Sequence, residues 1–291
     1  MIGIISAFGA SFAWTYACFI WRKNSFILEP VHINLLKNLI AFIVFIPAIF
    51  TINFTQDVKY LIILLFSGVL GIGLGDTFYI KSLKSIGTRR TLSIEGISPI
   101  LAAFSGQIFI QETLSVRSWI GIIIVSCALF KIIKENKNID PRISEKNIIK
   151  NFLNSYSYSF LSVLCAVSAA SLSRIVLLKT NLSPFQTTEI RLLGAIIYLL
   201  SLNKFKIDLF LFQMKYRERF RLLLSIILGT NIGIFLQQIV FKTLPLGIGW
   251  TLLSSSPIVS LLFTKKEEGK VTFEIITVTL ILSFGIGLTI L

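Results

Sequence analysis

The chain alternates along its whole length between long apolar runs and short polar segments. Ten runs are long enough for membrane-spanning helices, because a helix needs roughly 20 residues to cross the hydrocarbon core of a bilayer. We therefore expect an all-α polytopic membrane protein with ten transmembrane helices. The predicted helices cover residues 1–21, 31–51, 60–83, 89–110, 115–134, 153–178, 184–202, 220–243, 246–264 and 271–291.

The longest polar break lies near the middle of the chain, with five predicted helices on either side. Residues 135–152 carry many charged and amide side chains and are predicted to be a linker. The chain is therefore predicted to consist of two five-helix units, residues 1–134 and 153–291.

The two halves share an ordered series of matching positions. The matched pairs are Pro30 with Pro184, Lys37 with Arg191, Gly71 with Gly229, Gly75 with Gly233, and Pro99 with Pro257. A unit with an odd number of spans places its copy in the opposite orientation. The sequence thus predicts two inverted five-helix repeats, a transporter design whose binding site lies near the membrane midplane between the copies.

The composition agrees with a membrane protein. Hydrophobic residues make up 54% of the chain and charged residues 14%, against about 25% charged in a typical soluble domain. The net charge of +14 comes mainly from Lys and Arg in the loops after the odd-numbered helices. This distribution favours a topology signal over nucleic-acid binding, and it predicts that both termini lie outside the cytoplasm, with the chain in an inner or plasma membrane.

Two segments carry a family resemblance. They are "GIGLGDTFYIKSLKSIGTRRTLSIEGISPILAAFSGQIFIQETLS" (71–115) and "LGTNIGIFLQQIVFKTLPLGIGWTLLSSSPIVSLLF" (228–263). With the ten-helix repeat, they resemble the drug/metabolite transporter superfamily in its EamA-type branch. The first segment matches the third helix, a G-x-x-R turn, and a proline-containing fourth helix that ends at Glu112.

The resemblance implies a secondary carrier that exports or exchanges small organic metabolites such as amino acids, without ATP. It implies alternating access, with protons as a candidate coupling ion and no cofactor. It also implies that both termini face the cytoplasm, which disagrees with the loop charges. The expected partners are the small-molecule substrate and the lipid bilayer, with no nucleic acid; the oligomeric state is left open.

Features found in both halves are expected to build the scaffold. Gly71 and Gly75 share one face of a helix, where small residues allow close helix packing, and Gly229 and Gly233 repeat them. The Ser-Pro pairs at Pro99 and Pro257 are expected to kink their helices, since proline has no N–H to donate.

Asp76 has no counterpart in the second half, where Ile234 matches it. A carboxylate inside the membrane is costly and by default marks a wet cavity or a partner, and burial favours its protonated form. We expect Asp76 to act in substrate binding or proton coupling. The alternative is a structural carboxylate, for example one paired with Arg174.

Glu95 also lacks a counterpart, since it matches Leu253. It stands four residues before Pro99, so the carbonyl of Glu95 loses its helical partner at the level of its own carboxylate. A ligand or proton site is one interpretation. A hydrated side chain near the start of the helix is the other.

Lys37 and Arg191 are repeated cations, for which a structural or gating role is favoured over substrate binding. As an inverted pair they are expected near opposite faces of the membrane, with their charged ends extended toward the headgroups.

The resemblance implies that helices 1, 3, 4, 6, 8 and 9 line a central cavity. Polar and aromatic residues on these helices suit a neutral or zwitterionic solute, although most could equally bond between helices. The candidates besides Asp76 and Glu95 are Trp14, Tyr79, Ser168, Gln237, Trp250 and Ser254.

Other classes of function are weaker. His32 is the only histidine, the three cysteines lie in separate apolar runs, and no metal-binding or hydrolase motif occurs. We therefore expect no metal site and no enzymatic activity. A lipid scramblase, and an intramembrane enzyme using Asp76 with Glu95, are kept as alternatives.

Overall fold

Every regular element in the described part of the chain is a helix. A computed structural model describes residues 1–52, 58–135, 148–204, 214–260 and 273–290. Most of the predicted linker, residues 135–152, lies outside these ranges. Residues 261–264 of the ninth predicted helix also lie outside them.

The helices follow the predicted apolar runs closely, with most ends within four residues of expectation. Six of them are long and apolar enough to cross a membrane, and two more apolar helices, Pro30–Phe45 and Thr277–Ile290, are shorter. The ten spans remain a prediction. The helices are α1 (Ile2–Asn24), α2 (Pro30–Phe45), α3 (Val58–Ile86), α4 (88–110), α5 (Val116–Glu135), α6 (Ile148–Lys179), α7 (Pro184–Leu202), α8 (Tyr216–Thr243), α9 (Leu246–Leu253, continuing as Ser256–Ser260) and α10 (Phe273–Ile290).

Proline interrupts the second predicted helix. We expected one helix over residues 31–51, but α2 ends at Phe45 and a short turn of helix, Pro47–Phe50, follows. Pro47 lacks the N–H that would continue the hydrogen-bond ladder, so the apolar run is longer than the regular helix.

Four helices change their winding near the middle of the molecule. α3 and α8 widen into π-helical turns at Gly68–Gly75 and Ile227–Ile232. α4 tightens to a 3₁₀ turn at Glu95–Ile97, directly before Ser98 and Pro99, and α9 is interrupted at Ser254 and Ser255, directly before Ser256 and Pro257. The irregular turns thus fall at matching positions of the two halves.

The contacts between helices have the same correspondence. α1 packs on α8 and α6 packs on α3, while α2 contacts α7, α4 contacts α9, and α5 contacts α10. The contact of α1 with α8 thus corresponds to that of α6 with α3, and each of the other three contacts joins a helix to its predicted counterpart in the other half.

Glycines allow a close crossing of α3 and α7. A Cβ atom added to Gly68 would overlap the carbonyl oxygen of Arg191, and one added to Gly194 would overlap the carbonyl oxygen of Leu65. Small residues let membrane helices pack backbone against backbone. This crossing holds the Arg191 segment of α7 against α3.

The repeated glycines occupy similar surroundings. An added Cβ at Gly71 would lie 2.7 Å from Cβ of Ala169 on α6, and one at Gly229 would overlap Cβ of Ala17 on α1. Gly75 faces Cys165, and Gly233 faces Trp14 at a looser distance of 3.9 Å. In each half, therefore, the third helix packs on the first helix of the other half through glycine.

Candidate functional site

A cavity of about 80 Å³ lies among the central turns of the helices. It has walls from both halves of the chain. Of the eight predicted substrate or coupling residues, six line it: Trp14, Asp76, Tyr79, Glu95, Gln237 and Trp250.

Asp76 forms an ion pair with Lys37 of α2. The Lys37 side chain is fully buried, and its ammonium also lies 5.0 Å from the ring centroid of Trp21 and 5.9 Å from that of Trp14. Aromatic faces attract cations within about 6 Å. The expectation that Lys37 extends toward the headgroups is therefore wrong. The alternative in which Asp76 pairs with a cation agrees with the structure, but the cation is Lys37 and not Arg174.

The neighbouring residues of α2 hold Asp76 in place. Nδ2 of Asn34 donates to the carbonyl oxygens of Ile72 and Gly73, at 2.8 and 3.0 Å, and to the Thr77 hydroxyl at 2.9 Å. Since Ile72 and Gly73 lie in the π-helical turns, the amide stabilises the irregular segment that ends immediately before Asp76. Sequence reasoning missed Asn34, although its place one turn before Lys37 is a usable signal.

Arg191 also lines the cavity, from α7. Arg191 is 3% exposed, and the Nε and Nη1 atoms of its guanidinium have no hydrogen-bond partner among the residues that the structure describes. An added Cβ at Gly71 would lie 3.2 Å from Nη2 of Arg191, so the glycine leaves room beside the guanidinium. Like Lys37, Arg191 points to the protein interior and not toward the headgroups.

Glu95 lies in the 3₁₀ turn of α4 and reaches the cavity wall. Within the described ranges it has no hydrogen bond and no ion pair, but it is close enough to Asp76 for the two carboxylates to interact electrostatically. This position at the cavity wall favours the interpretation of Glu95 as a ligand or proton site over that of a hydrated side chain near the helix start.

Aromatic side chains form one wall. The rings of Trp14 and Tyr79 lie 5.6 Å apart, and Trp250 contributes a third ring from α9. The Tyr79 hydroxyl is 3.4 Å from Sγ of Cys18. This wall offers apolar surface and a few polar edges to a solute.

Two predicted site residues do not reach the cavity. Ser168 lies on an exposed face of α6, while Ser162 and Ala166 of the same helix form that part of the wall. Six residues of a helix rotate the side chain by about 240°, which separates Ser168 from Ser162. Ser254 is buried in the break of α9, outside the cavity lining.

Hydroxyl groups of α1 stabilise the break in α9. Ser11 donates to the carbonyl of Leu253 at 2.7 Å, and Thr15 donates to that of Ser256 at 3.3 Å. These bonds satisfy carbonyls that an interrupted helix leaves without partners.

A second ion pair lies away from the cavity. Glu112 at the end of α4 pairs with Arg174 of α6, and its other oxygen accepts from the backbone N–H of Leu246 at 2.7 Å. Arg174 also donates to the carbonyl of Phe241. The cluster joins α4, α6, α8 and the start of α9 at one end of the bundle.

Comparison with known proteins finds a family model that matches the first 133 residues of the chain. Residues 1–133 match the EamA-like transporter family, which confirms the predicted resemblance to the drug/metabolite transporter superfamily. Together with the membrane-length helices, the match identifies an integral multi-pass membrane protein. No curated protein matches the chain.

The whole chain also has a solved structural relative. A crystal structure aligns over 99% of this chain and 96% of its own, with a TM-score of 0.72 and 14% sequence identity. At this identity the similarity concerns the fold alone. The relative shows that the second half, beyond residue 133, takes part in the same overall fold.

Proposed function

We propose that this chain, which matches the EamA-like transporter family over residues 1–133, is a secondary carrier that moves small organic solutes by alternating access. The observation that carries the proposal is the central cavity, in which both halves place aromatic and ionisable side chains. Ionisable residues within membrane segments are rare and mark transport pathways. No catalytic step is part of the proposal.

The two inverted repeats are part of the same proposal. Matching irregular turns and the exchangeable set of helix contacts support them. Alternating access in such folds arises when one bundle moves against the other around a fixed central site. The cavity has room for about five water molecules at roughly 15 Å³ each, so the solute is small or the site widens as the carrier opens.

We assign proton coupling to Glu95 and not to Asp76. Asp76 already has a cation partner, the fully buried Lys37, with which it forms an ion pair. Glu95 faces the cavity without a cation partner among the described residues. A carboxylate in this position can gain and lose a proton as the cavity opens to water.

The test uses purified protein in liposomes, offered a panel of radiolabelled metabolites with and without a pH gradient. We expect at least one solute to accumulate with the gradient, and Glu95→Gln to abolish the stimulation while gradient-free uptake persists. Asp76→Asn should lower the amount of folded protein, because it leaves the Lys37 ammonium buried without a partner. Unchanged gradient-driven uptake in Glu95→Gln would refute the coupling assignment.

Orientation is proposed from the loop charges, with both termini outside the cytoplasm. Lys23 at the end of α1 and the basic start of α8 lie on the same side of the bundle, joined by an ion pair between Lys23 and Glu218. A fluorescent protein that matures only in the cytoplasm, fused after Leu291, should stay dark. Bright cells would reverse the orientation.

A further inference from the structure

We propose that Arg191 binds an anionic group of the transported solute, and that this group is a carboxylate. The proposal rests on the carrier function proposed above and names a class of substrate for its cavity. It gives Arg191 a binding role in place of the structural or gating role that its repetition with Lys37 suggests.

The first argument is the state of the guanidinium. Arg191 is 3% exposed and lines the cavity, and its Nε and Nη1 atoms have no hydrogen-bond partner within the described ranges. A buried charge without hydrogen-bond partners is costly, and polar groups of this kind inside a membrane protein usually face a partner or a pathway. An arriving anion would supply the missing acceptors.

The second argument is the balance of charge around the cavity. Lys37 and Arg191 both interact electrostatically with Asp76, but Lys37 makes the direct contact. Two cations therefore act on Asp76, and Glu95, the second carboxylate that lines the cavity, has no ion pair with either of them among the described residues. Glu189, two residues before Arg191 on α7, is buried with neither of its oxygens bonded to a described residue, and it forms no ion pair with Arg191.

The third argument is shape. A guanidinium is planar and presents paired donors that match the two oxygens of a carboxylate. Gly71 leaves space beside Nη2 that any side chain would occupy. The rings of Trp14, Tyr79 and Trp250 then offer apolar surface to the remainder of the solute, so the site suits a carboxylate joined to an apolar group.

The experiment compares solutes that differ only in this group. Proteoliposomes are offered butyrate and butyramide, benzoate and benzamide, and leucine and leucinamide, each radiolabelled. We expect at least one carboxylate to be taken up more efficiently than its amide, by roughly tenfold to a hundredfold, since hydrogen bonds to charged groups are each worth about 1.5–3 kcal/mol. Thermal unfolding in detergent measures binding of the same six probes.

Three variants separate the role of Arg191 from general damage. Arg191→Gln should remove the preference for the carboxylate, and Arg191→Lys, which keeps the charge but not the planar fork, should retain part of it. Arg221→Gln is the control, because Arg221 is an exposed arginine of α8 that does not line the cavity. If an Arg191 variant fails to fold, the comparison of each carboxylate with its amide in the wild-type protein still tests the preference for a carboxylate.

The outcomes distinguish this inference from the carrier function. Uptake with no preference for carboxylates, or with a preference that survives in Arg191→Gln, would overturn the role of Arg191 and leave the carrier intact. An absence of uptake and of thermal stabilisation for all six probes would overturn the carboxylate assignment, and the wider metabolite panel would then decide on the carrier.

Discussion

At the scale of single residues, the cavity depends on contacts between helices distant in sequence. Asp76 was identifiable from the sequence because it is a carboxylate in an apolar helix that the second half does not repeat. Its partner Lys37 was not, since a lysine near the end of a predicted span equally suits a side chain directed to the headgroups. Only the packing of α2 on α3 brings the two together.

Ser168 was predicted to line the site, but it does not reach the cavity. Its residue type and its helix were reasonable grounds for a site, but the rotation of α6 places it on an exposed face. A sequence gives the spacing of residues on a helix accurately, whereas the direction in which a nearly uniform apolar helix faces depends on its neighbours. On α6 the small residue Ala166 lines the cavity, whereas the hydroxyl-bearing Ser168 does not.

Gly68 provides a residue-scale prediction. Gly68→Ala should lower the free energy of unfolding by about 1–3 kcal/mol, the usual cost of overpacking, because the new methyl group would overlap the Arg191 carbonyl. Gly287→Ala is the matched control, since an added Cβ there has nothing within 4 Å. Thermal unfolding in detergent compares them; equal stability of the two variants would contradict the close crossing of α3 and α7.

At the scale of helices, the sequence predicted where elements lie better than how they are wound. The extent of α7 was predicted correctly from the length of its apolar run. A capping box formed by Ser183 and Gln186 fixes the start of the helix at Pro184. The π-helical turns of α3 and α8 have no such local signal. They are stabilised by hydrogen bonds to other helices. Asn34 of α2 donates to backbone carbonyls of α3, and Asn231 of α8 donates to the Ala41 carbonyl of α2.

The Glu112 cluster gives a prediction at this scale. Glu112→Gln should destabilise the protein by about 3–5 kcal/mol, because it leaves Arg174 buried without a counter-charge. The double variant Glu112→Gln with Arg174→Gln should lose less than the sum of the single variants, since the two residues act as a pair. Additive losses in thermal unfolding would mean that the ion pair does not join α4 to α6.

At the scale of the whole molecule, helices from both halves of the chain line one cavity. The order and extent of the described helices could be predicted because they depend on hydropathy; the mid-chain linker lies largely outside the described residues, and the repeat stays a prediction. The pairing of Asp76 with Lys37 and the place of Arg191 at the cavity could not be predicted, because both depend on how the helices pack. In the proposed carrier, similar halves would exchange roles while the solute meets groups that differ between them, such as Asp76 and Glu95.

Counterflow tests this account most directly. Proteoliposomes are preloaded with an unlabelled solute that the chain transports, and uptake of the same labelled solute is followed without any ion gradient. A carrier that turns over by alternating access should show transient accumulation of label above equilibrium, because the loaded carrier returns with solute bound. Uptake that only approaches equilibrium, with no effect of preloading, would contradict the central claim and indicate a passive pore.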